Sequence, residues 1–219
     1  LTDENEVKFG IVPDKIIVNG SYFIPKDSSL NFVVGPSFRY KKIFTTFLDK
    51  RKQNNILILL PYITEDAENI LNLLNKIDLS IQNVVIKAHP AVSMERFKSF
   101  IPAGSKTVSD DLYGLFKTTK IAIGAASGTL IEAASLGIPV ISVKNTQEFS
   151  YNPLPIYGKG IIWDEAASTA ELEKLLIKFE NALNDINELD RIKKIADEYR
   201  SMFFCEPTDE NIIKIYELD

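Results

Sequence analysis

Two short stretches, Lys87-Ala88-His89-Pro90 and Ser127-Gly128-Thr129, bring together residue types suited to holding a phosphate. His89 is the single histidine of the chain and closes the apolar run Val84-Val85-Ile86 just ahead of Pro90, which biases it to extended backbone. Side chains alternate along a strand, so Lys87 and His89 point to one side and form a donor pair for a phosphate oxygen. A plainer role fits them equally: a strand-end histidine holding a loop carbonyl, with Lys87 solvated. The loop Gly124-Ala125-Ala126-Ser127-Gly128-Thr129 has no bulky side chain, so a ligand can come close to the backbone where a helix begins. There an anion gains about 0.3 to 1 kcal/mol before its hydrogen bonds are counted. Simple capping of that helix by Ser127 or Thr129 explains the same residues. Glu132, three residues after Thr129, offers a carboxylate to the vicinal hydroxyls of a ribose, or else the far half of a capping box. Contacts to a base are expected near Ser109 to Tyr113, that is from Ser109 and Tyr113.

Other chemistries find less support. One His, one Cys and no ligand pair at zinc spacing leave neither a hydrolytic triad nor a metal site, and no catalytic residue or cofactor is assigned. Asp110-Asp111 reads as the acidic first turn of a helix capped by Ser109 rather than as a metal pair. Neither a GxxxxGK[ST] loop nor a GxGxxG follows a strand.

The elements that must position these groups alternate regularly from Asn55 onward. Strands are expected at Ile56 to Leu60, Val84 to Ala88, Lys106 to Val108, Ile121 to Ile123, Pro139 to Val143 and Ile161 to Trp163. Helices are expected at Glu65 to Ile77, Met94 to Phe100, Asp110 to Phe116 and from Thr129 to about Leu136. Ser168-Thr169-Ala170-Glu171 fits a capping box ahead of a helix with Leu172, Leu175, Leu176 and Phe179 on one stripe. Two further helices follow, near Ile186 to Phe203 and Asp209 to Leu218. Such alternation specifies a Rossmann-like α/β fold, a parallel sheet with helices on both faces. Residues 1–54 differ: Ile16-Ile17-Val18 and Phe32-Val33-Val34 look like short strands, broken up by Asn19-Gly20, Pro25-Lys26-Asp27 and Gly35-Pro36-Ser37. They read as a linker or edge segment leading into a domain at 55–219.

A 45% hydrophobic content suffices for a packed core. The formal net charge of -5 and the lack of a long basic run argue against a general nucleic-acid binder. Cys205 has no internal disulfide partner, and no apolar run reaches the length of a membrane span. A cytoplasmic protein is expected, with peripheral contact to the cytoplasmic face of a membrane left open. Leu1 in place of Met and a polar start suggest an excised fragment whose missing N-terminal domain carries part of the function.

Taken together, Lys87-Ala88-His89-Pro90, Ser109-Asp110-Asp111-Leu112-Tyr113, Ser127-Gly128-Thr129-Leu130-Ile131-Glu132-Ala133 and Gly137-Ile138-Pro139-Val140-Ile141 resemble the C-terminal half of GT-B glycosyltransferases. The likeness is to bacterial surface-carbohydrate and capsule enzymes with an HP motif and a later Ser/Thr motif, sialyl- and Kdo-transferases among them. It implies two facing Rossmann-like domains, of which this one binds a CMP- or UDP-linked sugar. His89 with Pro90 and the loop Ser127 to Thr129 would hold the phosphate, and Glu132 the ribose. Val33 to Tyr40 looks like the interdomain linker of such proteins, so that Gly35 and Ser37 would line the cleft. Two departures stand out: the acceptor-side half, where the catalytic base usually resides, is absent, and of the paired-glutamate motif of the large retaining families only Glu132 has a counterpart. By this reading the fragment alone binds but does not turn over. The rival readings are a non-catalytic phosphosugar-binding module and half of a GT-B-type sugar-nucleotide 2-epimerase.

Overall fold

Apolar runs between Asn55 and Ala166 pair, strand beside strand, into a six-stranded sheet in which every neighbour is parallel. The computed structural model describes residues 4–145 and 151–217. In chain order its elements are α1 (Glu4–Lys8), β1 (Ile16–Val18), β2 (Phe32–Val34), α2 (Lys41–Thr45), β3 (Asn55–Leu59), α3 (Thr64–Leu74), β4 (Asn83–Lys87) and β5 (Lys106–Thr107). They continue with α4 (Leu112–Phe116), β6 (Thr119–Gly124), α5 (Thr129–Ser135), β7 (Val140–Val143), β8 (Trp163–Ala166), α6 (Thr169–Asn184), α7 (Ile186–Phe203) and α8 (Asp209–Tyr216). The stretch Met94–Phe100, expected to be helical, is a 3-10 helix.

The chain divides into two compact units, Thr45–Glu198 and Leu1–Phe44 with Tyr199–Asp219. In the first, the sheet order is β5-β4-β3-β6-β7-β8. Alternation along the strands sends Ile56, Ile58, Val84, Ile86, Ile121, Ile123, Ile141 and Val143 to one face, where they pack with Ile70, Leu71 and Leu74 of α3 and Leu172, Leu176 and Phe179 of α6. Each such fully buried large side chain contributes roughly 1.5 to 3 kcal/mol. The opposite face carries Leu57, Leu59, Ala122 and Gly124, and α5 lies against it. A Cβ on Gly124 would stand 3.0 Å from Leu130 Cδ2 and 3.0 Å from the Leu59 carbonyl oxygen, a tight contact that would make these neighbours give by a few tenths of an ångström.

The capping box ahead of α6 forms as expected: Glu171 N–H donates to Ser168 Oγ at 3.3 Å, while Ala167 N–H donates to the Glu171 carboxylate at 2.7 Å. Helix α3 ends at Leu74 rather than Ile77, and two further boundaries differ from the sequence expectation for identifiable reasons. Helix α4 starts at Leu112, because Asp111 itself caps it by accepting from Gly114 N–H at 3.2 Å; Ser109 stays outside the helix. The last strand starts at Trp163 rather than ending there. Gly158 and Gly160 take positive φ, and Ile161 and Ile162 donate their N–H groups to the Gly158 carbonyl, so these apolar residues form a turn before the ladder begins.

In the second unit, β1 and β2 form a two-stranded parallel ribbon. Residues that read as an edge segment are held by the C-terminal stretch: the Phe203 ring meets Tyr22 at 4.4 Å and Phe23 at 5.7 Å, and Tyr40 meets Phe204 at 4.8 Å between centroids. Ser37 is fully buried, donates its hydroxyl to the Asn19 carbonyl and accepts from Cys205 N–H. Burial pushes the Cys205 thiol up from its ordinary pKa.

Glu165 on β8 supplies a pH-dependent contribution to stability. Partial burial acts to raise its pKa, but hydrogen bonds from Lys159 at 2.6 Å and Asn152 at 2.9 Å outweigh this and hold the carboxyl below the usual range. A depressed pKa in the folded state stabilises at neutral pH, and the gain disappears as pH falls through the folded-state value. After solvent screening it amounts to about 0.5 to 1 kcal/mol. Glu165→Gln is therefore expected to melt slightly below the parent at pH 7, with the two melting curves converging as the solution is acidified. A difference that stays constant with pH would contradict this.

Candidate functional site

From β3 the chain builds outward through β4 to β5, then returns beside β3 as β6 and builds the other way through β7 to β8. The direction of winding thus reverses between β3 and β6, the place beyond whose carboxyl ends open α/β sheets ordinarily bind ligands. The registers Leu59↔Lys87 and Leu59↔Gly124 put Lys87, Leu59 and Gly124 at one level across β4, β3 and β6, on the face covered by α5. With one strand between them, Lys87 and Gly124 are roughly 10 Å apart. The Lys87–Pro90 stretch and the Gly124–Thr129 loop therefore leave the same edge of the sheet.

His89 lies exposed two residues past β4. Its Nδ1 accepts from Ala91 N–H at 3.2 Å and its carbonyl from Val92 N–H at 2.9 Å, a turn to which Pro90 brings no donor of its own. With Nδ1 an acceptor, the neutral ring carries its proton on Nε2, which is left as the outward donor. The ring sits edge-to-face on Tyr62, with centroids 5.6 Å apart and planes at 76°. Lys87 Nζ has no hydrogen-bond or ion-pair partner among the described residues.

On the far side of β3, Ala126 takes φ 45°, a left-handed conformation that costs a residue with a Cβ about 1 to 2 kcal/mol. Past it, Ser127 Oγ accepts from Thr129 N–H at 3.3 Å, so the plain capping role of Ser127 is realised. The carbonyls of Ser127 and Gly128 take the N–H groups of Leu130 and Ile131. The N–H groups of Ser127 and Gly128 and the Thr129 hydroxyl have no partner among the described residues. A Cβ placed on Gly128 would meet nothing within 4 Å, so open space lies above it.

Two expected site residues far apart in sequence are joined directly: the Tyr113 hydroxyl donates to Glu132 Oε2 at 2.6 Å, and both side chains are buried. Tyr113 thereby orients a carboxylate on the helix that follows the loop. Ser109 is exposed beyond the end of the edge strand β5. Gly35 and Ser37 belong to the other compact unit, where Gly35 N–H donates to the Val18 carbonyl at 2.9 Å.

Two features went unnoticed in the sequence. Tyr62 comes from the loop after β3 and packs against His89; the signal available was Pro61-Tyr62-Ile63-Thr64 lodged between a strand and a helix. The other is a buried pair on the same edge, Asn145 Nδ2 donating to Asp66 Oδ1 at 3.0 Å, which ties the first turn of α3 to the segment leaving β7. Among the described residues no group of three His, Cys, Asp or Glu could hold a metal ion, and no helix is long and apolar enough to cross a membrane.

No protein-family model matches the sequence, and no curated protein matches it significantly. Solved structures do match. A glycosyltransferase from Rickettsia africae ESF-5 superimposes with TM-score 0.61 at 13% identity, over 99% of this chain and 67% of that one. The spinosyn forosaminyltransferase SpnP gives 0.60 at 12% identity, over 99% and 57%, and MurG of Acinetobacter baumannii 0.52 at 11%, over 99% and 64%. The fold is that of one half of a GT-B glycosyltransferase, a parallel six-stranded sheet surrounded by helices. The chain spans between 57% and 67% of the length of these three structures.

Proposed function

We propose that this chain is the nucleotide-sugar-binding half of a glycosyltransferase that builds bacterial surface carbohydrate, of the capsular, sialyl- or Kdo-transferase kind. The observation that carries the reading is the pair of donor-bearing loops at the winding reversal. On one side are Lys87 and the outward Nε2–H of His89, and on the other the open N–H groups of Ser127 and Gly128 with the Thr129 hydroxyl. Donors on two loops that leave the same edge suit a phosphate, and the Glu132 carboxylate, oriented by Tyr113, suits the ribose. The GT-B fold adds support at the level of architecture. The remaining part of the cleft, on a further domain, supplies the acceptor site and the general base that activates its hydroxyl. The protein works in the cytoplasm, in peripheral contact with the membrane face.

Binding without turnover is the expected behaviour of the isolated chain. Calorimetric titration with CMP, CDP, UMP and UDP tests it: weak binding of the cytidine or uridine series, with no sugar transferred, is the expected result. No binding by any of the four at millimolar concentration, or steady transfer by this chain alone, would overturn it.

A further inference from the structure

A groove of about 490 Å³ runs along the carboxyl edge of the sheet on the β4 side of Tyr62. One wall is the loop after β3 and the start of α3, with Tyr62, Thr64 and Glu65; the other is the turn after Pro90 and the 3-10 helix behind it, with Ser93 and Arg96. The His89 ring abuts Tyr62 in its wall. The groove thus lies beside His89, on the side of β3 opposite Glu132, since β4 and β6 flank β3.

Its lining has a definite chemistry. Tyr62 is 63% exposed, so its ring presents an open face to whatever enters. The Arg96 guanidinium and the Glu65 carboxylate line the same groove, yet neither has an ion-pair or hydrogen-bond partner among the described residues. Donor and acceptor groups therefore both remain for a ligand. The Ser93 hydroxyl, which accepts from Glu95 N–H at 3.3 Å, keeps its proton to donate, and Thr64 adds a second hydroxyl. An aromatic platform ringed by a carboxylate, a guanidinium and hydroxyls matches a pyranose: the C–H face of the sugar lies on the ring, and its hydroxyls, each both donor and acceptor, meet the polar rim.

We propose that this groove is the glycosyl subsite, with Tyr62 as platform and Arg96 and Glu65 as the residues that choose among sugars. The assignment rests on the nucleotide-sugar reading above: phosphates at His89 and Ser127 to Thr129, with ribose towards Glu132, direct the sugar to the Tyr62 side.

The test compares nucleotides with and without their sugar, UDP against UDP-glucose and CMP against CMP-N-acetylneuraminate, titrated into the 219-residue chain and its Glu65→Ala and Arg96→Ala variants. The parent is expected to bind at least one sugar nucleotide about fivefold or more tightly than its bare nucleotide, and both variants to lose that gain while holding UDP and CMP within about twofold of the parent. Heteronuclear spectra of each variant, with dispersed parent-like resonances, confirm the fold. Equal affinity for bare and sugar-bearing nucleotide in the parent overturns the subsite, as does a gain that survives both substitutions. Equal weakening of UDP and UDP-glucose by the variants also overturns it, by assigning the groove to the nucleotide. Absence of binding by all four probes overturns the nucleotide reading itself, and with it the subsite.

Discussion

Replacing His89 with alanine is expected to weaken nucleotide binding by about 1 to 3 kcal/mol, the usual loss when a donor to a phosphate oxygen is removed from a site that ligand shields from water. The geometry narrows which atom matters. Nδ1 is occupied by Ala91 N–H, so the lost donor is Nε2–H. Glutamine, whose side-chain amide supplies a donor at a similar reach, should restore part of the affinity, whereas alanine and phenylalanine should not. Thr129→Val is expected to act in the same direction but less, because the Ser127 and Gly128 N–H groups remain. Isothermal titration of the variants with the best-bound nucleotide measures the series. A dissociation constant unchanged in His89→Ala would return His89 to the plainer role that the sequence also allowed, a residue that closes the turn after β4.

Gly20→Ala should have the largest effect on stability, and the cause is close approach rather than backbone conformation. Gly20 has φ -163°, extended backbone open to any residue. Its missing Cβ, however, would lie 2.3 Å from the Met202 carbonyl oxygen and 2.4 Å from the Phe203 carbonyl carbon. Both neighbours are backbone of α7 and cannot rotate aside as a side-chain tip would, so the segment around Gly20 has to withdraw, disturbing the stacking of Tyr22 and Phe23 on Phe203. Overpacking of this severity costs on the order of 3 kcal/mol. Thermal unfolding should start markedly earlier in the variant, with reduced near-ultraviolet circular dichroism from the aromatic cluster and faster proteolysis between Gly20 and Phe32. A variant that melts within a degree of the parent and resists protease equally would contradict the packing described.

Much of the sheet unit is legible in the sequence because its determinants are local. Apolar runs such as Ile56 to Leu60 and Val84 to Ile86 alternate with helical stripes, and a Ser168-to-Glu171 box announces α6 within four residues. The same holds for the small-residue loop through Ser127-Gly128-Thr129, which ends one strand and begins a helix. Boundaries fail where two local signals compete: Asp111 outranks Ser109 as a cap because its carboxylate reaches Gly114 N–H, and Gly158 with Gly160 turns an apolar run that would otherwise extend β8. What only the tertiary structure decided are pairings between residues remote in the chain. The order β4-β3-β6 fixes where winding reverses, and so brings the loop at Tyr62 beside His89. The Tyr113–Glu132 bond spans 19 residues and the Asp66–Asn145 pair 79. The contact of Ser37 with Cys205 spans 168, which is why a stretch that reads as a linker is instead held by the far end of the chain. Each of these depends on which strand lies beside which. That choice is made by burial of apolar surface summed over the whole unit, and no window of neighbouring residues carries it.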